Sequence, residues 1–302
     1  MRIVSVGEIL WDVIDHNEYL GGAPLNFAAH AQKLGHEVYP LSAVGADARG
    51  RKALGLLKAR GMSTEFVQVL KDKPTGTAEV ELDLEGKPTF RIVRPVAYDF
   101  VDLCDEELKR IAHLKPEWVY FGTLYHMSMQ ALDSTRKLLK TVPKARVFYD
   151  VNLRPGHWSL ATIEQLSSLA TVTKLSDSEA ESLDASVDAS EGPGHSIENF
   201  CRRWADRYGC KTMCVTFGER GCAILKDSEY SQAPGYHITV ADTVGAGDAF
   251  SAAFVHGLSQ GWDSTRIALC ANEVGALVAS RTDAIPEWSI SEAHALMKAQ
   301  AH

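Results

Sequence analysis

An α/β protein with an open, mostly parallel sheet and helices on both faces is the fold class this sequence predicts, and three observations carry it. β-branched runs alternate with segments of helical composition along most of the 302 residues. Early helices close on Gly35 and Gly61, a residue type that ends helices without steric cost. The alternation breaks once, at Thr75–Val96, where two strands follow one another with no helix between them. Residues 1–302 therefore read as a single domain with a small β lid, an excursion spanning 11–20 and 75–97.

The first unit is a strand at Ile3–Val6, a turn at Gly7 and a helix from Pro24 to Leu34 whose small and apolar face includes Leu25, Ala28, Ala29 and Ala31. A strand at Val38–Val44 and a helix at Arg51–Arg60 repeat it. The hairpin that follows turns at Glu85-Gly86-Lys87 and suits a lid or dimerisation flap; an antiparallel edge of the main sheet fits it equally well. Beyond Asp99 come a helix at Asp105–His113, a strand at Trp118–Phe121, a helix at Met129–Lys140 and a strand at Arg146–Val151. A strand at Ala170–Leu175 leads into an acidic helix at Asp177–Leu183, and Ser190–Ser196 is a loop. Helix Ile197–Tyr208, strand Thr212–Phe217 and its hairpin partner Cys222–Leu225 follow, and the chain is helical from Ala249 onward. No repeat, low-complexity tract or interdomain linker interrupts the sequence.

Composition narrows the function. With 45% hydrophobic and 23% charged residues, the chain has enough interior to hold a pre-formed site. A formal net charge of −8 offers no basic field to a phosphate backbone, so nucleic acid is not expected as a partner. The six cysteines form neither a Cys-x-x-Cys pair nor a compact framework, which leaves zinc and disulfides without support. No window of about 18 apolar residues and no apolar signal segment is present, so a cytoplasmic protein with no membrane partner is expected.

The segment Asp242-Thr243-Val244-Gly245-Ala246-Gly247-Asp248 stands before a run of helical composition. Gly245, Ala246 and Gly247 then lie at a helix amino terminus, where unpaired N–H groups and the helix dipole attract anions and small residues admit phosphate oxygens. Asp248 in the first turn also suits the helix dipole by itself, and a Gly-rich cap is common. A dinucleotide fingerprint fails at Phe250, and no Gly-Lys-Ser/Thr loop is present. The distinctive feature is an anion hole joined to a carboxylate that can take a proton from a hydroxyl.

DTVGAGDAF resembles the carboxy-terminal signature of the ribokinase-like (PfkB) family of carbohydrate kinases, and the rest of the chain agrees over nearly its full length. The resemblance implies that Asp248 is the catalytic base and that Gly245, Ala246 and Gly247 form the anion hole. GEILWDVI and GGAPLNFAAHAQKLG resemble the family's sugar-binding half, which assigns hydroxyl recognition to Asp12, Gly21, Gly22 and Asn26. VFYDVNLRPGHW ends a strand with Asp150, Asn152 and Arg154 and is similar to a fructokinase form, so Asn152 and Arg154 are expected near the sugar or the moving phosphoryl group. Arg94, with Tyr98 and Asp99 at the end of the hairpin, is a further candidate for the sugar.

For the nucleotide half, TKLSDSEAE stands where the family usually has Asn-x-x-Glu. Lys174 and Ser176 are expected at the nucleotide and Glu179 at Mg²⁺ through water. Ser176 replaces the usual Asn, and Ser-x-x-Glu is also a helix capping box. Thr216, Gly218 and Gly221 resemble the family's nucleotide turn, and Asn272 corresponds to a position near adenine. Asp242, Val244, Val278, Arg281 and Asp283 would surround a monovalent cation, potassium, although the family often has Gly in place of Asp283. The resemblance thus implies a sugar kinase using ATP and Mg²⁺. The Gly-Gly-Ala-Pro-x-Asn form is most like bacterial fructokinases, which points to fructose, with 2-keto-3-deoxygluconate, ribose or a nucleoside as alternative acceptors. A sugar or nucleotide sensor without turnover is the competing function, and pairing of the exposed hairpin predicts a homodimer.

Overall fold

The computed structural model describes residues 1–14, 17–82, 88–187 and 196–300. Strand β1 (Arg2–Val6) is followed by β2 (Leu10–Ile14), β3 (Asn17–Gly21), helix α1 (Ala23–Lys33), β4 (Glu37–Gly45) and α2 (Ala48–Ala59). Next come β5 (Phe66–Leu70), β6 (Gly76–Leu82), β7 (Pro88–Ile92), α3 (Asp105–Leu114), β8 (Trp118–Gly122), α4 (Met129–Thr141) and β9 (Arg146–Asp150). The remainder is α5 (Leu160–Ser167), β10 (Val172–Ser176), α6 (Asp177–Val187), α7 (Ile197–Tyr208), β11 (Thr212–Thr216), β12 (Cys222–Lys226), β13 (Glu229–Ala233), α8 (Ala246–Ser259), α9 (Ser264–Ala279) and α10 (Ile290–Gln300).

The main sheet runs β13-β12-β11-β10-β9-β8-β1-β4-β5. All pairings from β5 across to β11 are parallel, and β12 and β13 close that side as an antiparallel hairpin. The direction of winding reverses at β1, which lies between β4 and β8, and the crevice at such a reversal is where ligands bind in open sheets.

Alternate residues of each central strand feed two cores. Tyr120, Phe148 and Cys214 join Phe27 of α1 and Phe254 of α8 on one face; Val119, Phe121, Tyr149 and Val215 join Ile111, Leu138 and Trp204 on the other. Phe27 stacks on Tyr120 with ring centroids 3.8 Å apart, which presses α1 onto the sheet.

The interrupted part of the pattern forms a second sheet of order β3-β2-β6-β7. Its hairpin, β6 with β7, joins β2 in parallel with Leu10 opposite Gly76, so it is not an edge of the main sheet. The turn assigned to Glu85-Gly86-Lys87 and the loop from Ser190 to His195 lie outside the described residues. Strands β5 and β13 and helix α5 are additions to the sequence reading. β13 buries only Ala233 and so carries no hydrophobic alternation, and α5 has only eight residues, started by Ser159 accepting from the Thr162 N–H. All six cysteines are free thiols, five of them buried. Among the described residues no helix is long and apolar enough to cross a membrane.

Candidate active site

Helix α8 begins where the sequence places an anion hole. Gly245 caps it at φ 79, and the Ala284 carbonyl oxygen would stand 2.1 Å from a Cβ added there, so both backbone conformation and space require glycine. The Gly247 and Asp248 N–H groups lie in the first turn and have no acceptor within the helix. Asp248 is 9% exposed, and Asn26 Nδ2 donates to its Oδ2 at 2.9 Å. Burial, and then the charge of Asp150, push the Asp248 carboxyl up to about 7, against the opposing Asn26 hydrogen bond and the charges of Lys174 and Arg154. A carboxyl poised there suits a general base at neutral pH.

Behind it lies a buried polar cluster. Asp150, at the carboxyl end of β9, accepts from Lys174 Nζ at 3.1 Å, Ser251 Oγ at 2.8 Å and the Tyr120 hydroxyl at 3.2 Å. Burial works against the Lys174 ammonium, but Asp150, Glu179 and Asp248 outweigh it and hold its pKa above the usual lysine value. Lys174 Nζ would be 3.5 Å from a Cβ on Gly247, which puts its charge beside the residues expected to form the anion hole. Tyr120 and Ser251 escaped the sequence reading because each sits in an apolar run typical of core.

Where the sequence expects the sugar, Asp12 of β2 lies beside Gly21, where an added Cβ would stand 2.6 Å from Asp12 Oδ2. Burial raises the Asp12 carboxyl to about 6, opposed by the charge of Arg154. Gly22, at φ 116, caps α1 and leads to Asn26, whose N–H bonds the Gly22 carbonyl. Asn152 is left-handed at φ 41, turning the chain toward Arg154, which is exposed and whose charge is felt by Glu8, Asp12 and Asp248. Arg94 is not a solvated strand end: its guanidinium pairs with buried Asp99 and donates to the Leu124 carbonyl at 2.7 Å. Glu8 was not among the expected site residues. It is 5% exposed beside Gly22, and burial pushes its carboxyl up to about 7 against an Ala23 N–H bond and the charges of Arg154 and Arg94.

The capping reading of Ser176 and Glu179 is realised. Glu179 Oε2 accepts from the Ser176 N–H at 2.7 Å, and Ser176 Oγ accepts from the Glu179 N–H at 3.2 Å. Glu179 Oε1 also accepts from the Leu153 N–H at 2.6 Å, which ties this helix to the loop carrying Arg154. Among the described residues, no group of three or more His, Cys, Asp or Glu side chains could hold a metal by itself. Thr216 donates weakly to the Leu175 carbonyl, and Gly218 and Gly221 are left-handed at φ 61 and 103. At Gly221 an added Cβ would stand 2.1 Å from the Ala233 carbonyl oxygen. Asn272 Nδ2 donates to the Pro234 carbonyl at 3.0 Å, which holds the chain just after β13.

The 242–244 and 278–283 segments come together, with the Ala241 and Asp242 N–H groups both donating to the Ala279 carbonyl. Asp242 Oδ1 accepts from the Val244 N–H and Asp283 Oδ1 from the Ile285 N–H. The Val278 carbonyl accepts from the Arg281 N–H, and the Arg281 side chain reaches Glu292 and the Glu287 carbonyl. Asp283 has φ 87, the left-handed conformation that glycine would adopt without strain.

Residues 4–290 match the pfkB family of carbohydrate kinases. An uncharacterised sugar kinase of Pyrococcus horikoshii is 29% identical over 311 residues, covering 98% of this chain and 94% of its own. A fructokinase of Salmonella typhimurium is 28% identical over 271 residues, 85% of this chain and 84% of its own. In fold, the crystal structure of a fructokinase with bound ATP from Xylella fastidiosa superposes with a TM-score of 0.85 at 22% identity, covering 100% of this chain and 99% of that one. The chain is therefore a phosphotransferase acting on a sugar hydroxyl, with the ribokinase-like fold, and it belongs to the PfkB family of carbohydrate kinases.

Proposed function

We propose that the protein transfers the γ-phosphoryl group of ATP to a primary hydroxyl of fructose, giving fructose 6-phosphate. The observation that carries the mechanism is the Asn26–Asp248 hydrogen bond, which joins the sugar helix to a buried carboxylate at the mouth of an anion hole. Asp248 takes the proton as the sugar oxygen bonds to phosphorus, and the bond from phosphorus to the ADP oxygen breaks in line. N–H groups of the first turn of α8 face the charge on the transferring group, and Lys174 supports them from below.

Glu179 has both carboxylate oxygens on backbone N–H groups and keeps lone pairs free, which fits a contact to Mg²⁺ through water. Bound there with the nucleotide, the ion would neutralise phosphate charge. Fructose is favoured among acceptors by the Gly22-Ala23-Pro24 start of α1 and by the name of the Salmonella relative.

ADP release with Mg-ATP over a panel of sugars and nucleosides tests the reading; no release above the sugar-free blank for any of them would favour a sensor. Asp248→Asn is expected to bind both ligands and lose at least about a thousandfold in kcat. The meeting of the 242–244 and 278–283 segments supports a potassium site behind the anion hole. Activity should then be higher in potassium than in sodium or tetramethylammonium buffer, and equal rates in all three would remove the ion.

A further inference from the structure

Three carboxyl groups border the sugar side, and the charge of Arg154 reaches all of them. Asp248 has a role in the proposed reaction and Asp12 is the carboxylate expected at the sugar hydroxyls; Glu8 has neither. Glu8 follows β1 at the carboxyl end of the strand where the winding reverses. Its side chain lies against Gly22, where an added Cβ would stand 3.3 Å from Glu8 Cγ. Although Glu8 is almost wholly buried, its Oε2 has no hydrogen-bond partner. Asn26 Oδ1, one turn along α1 from Gly22, is a second buried acceptor with none.

Buried polar atoms are ordinarily paired, and leaving one bare costs about 1–3 kcal/mol. Two bare acceptors, one beside Gly22 and one in the first turn of the helix that Gly22 caps, suit a ligand that donates. Nearby cations do not fill the need: Arg94 is committed to Asp99 and Leu124, and Lys174 to Asp150. Against the three carboxyls stands one exposed guanidinium, Arg154, so above about pH 7, where all three are ionised, a negatively charged sugar meets an excess of like charge here.

We propose that Glu8 determines substrate class: its Oε2, together with Asn26 Oδ1, accepts hydrogen bonds from hydroxyls of a neutral sugar, and its charge excludes sugar acids. This rests on the sugar-kinase reading and extends it to a residue and a class of acceptor. Glutamine at this position keeps the size and an acceptor but removes the charge.

Glu8→Gln, in the full chain, is compared with the native protein at about pH 8, where Glu8 is ionised, for kcat and KM on fructose and on 2-keto-3-deoxygluconate. The expected result is a fructose KM raised by about tenfold with kcat much less affected, and a preference for fructose over the acid reduced by about tenfold or more. A fructose KM and a preference both equal to the native values overturn the role of Glu8 while the kinase reading stands. Native protein that prefers the acid overturns the exclusion, and native protein that phosphorylates no sugar overturns the kinase reading and this proposal with it. Should Glu8→Gln fail to fold, Glu8→Asp carries the test, because it keeps the charge and withdraws the oxygen by one methylene. A raised fructose KM with the acid still rejected supports the role, and a native KM overturns it.

Discussion

Asp248 has a pKa near 7 because burial and Asp150 oppose its ionisation more strongly than Asn26, Lys174 and Arg154 favour it. Only the ionised form can take a proton, so kcat should fall as pH drops through about 7 and level off above it. Removing the Asn26 amide removes a bond that favours the charged form, so in Asn26→Ala this acidic limb should move to higher pH. A kcat–pH profile of that variant with the limb unmoved would show that another group sets it. Residues of this kind differ in how far sequence reveals them. Gly245 and Asp248 announce themselves through a glycine-rich cap with an acid in the first turn, whereas Glu8 is a lone acid after a strand, and only its burial and bare oxygen distinguish it. Ser176 and Glu179 form the capping box the letters allow, and the letters could not separate that role from the one proposed for them at the nucleotide and Mg²⁺.

At the scale of elements, α1 connects the two halves of the site. Asn26 holds Asp248, and one turn later His30, wholly buried, reaches the loop behind the anion hole. Trp288 Nε1 donates to His30 Nδ1 at 3.0 Å, which leaves the proton on Nε2 to be donated to the Ala284 carbonyl at 2.9 Å. That carbonyl is the one that closes on Gly245. Burial pushes the His30 imidazole down to about 4, so the ring stays neutral at working pH. His30→Leu leaves the Ala284 oxygen and the Trp288 N–H without this partner; kcat should fall about tenfold with the sugar KM little changed, and His30→Gln, which restores a donor, should recover most of it. Equal losses in both variants would mean that ring packing, not the bond to Ala284, supports the loop. The strands and helices themselves were legible wherever apolar periodicity was long, as in α3, α4 and α7. The pairing of β2 with β6 was not, because parallel partners more than sixty residues apart leave no mark in either segment's alternation.

For the whole molecule, a site lined with reluctant carboxylates opposes stability. Glu8, Asp12 and Asp248 hold protons to about 7, 6 and 7 in the folded chain, chiefly through burial, while the unfolded chain releases them near the ordinary carboxylate values. A raised folded pKa favours folding while the group is protonated, and that contribution is lost as pH rises through the folded value. Stability from these three groups should therefore decline between about pH 4 and pH 8. Other carboxylates, such as Asp47, have lowered pKa values and act in the opposite direction, so the native protein's overall curve mixes the two effects. A variant isolates the first. Asn in place of Asp248 is a neutral group of the same shape that can still meet Asn26, so Asp248→Asn should melt several degrees above the native protein at pH 8, and the gap should close toward pH 5. Calorimetry across that range decides it: a gap that stays constant with pH would place the gain in packing, and a variant that melts lower at pH 8 would show that ionised Asp248 is a stabilising group after all.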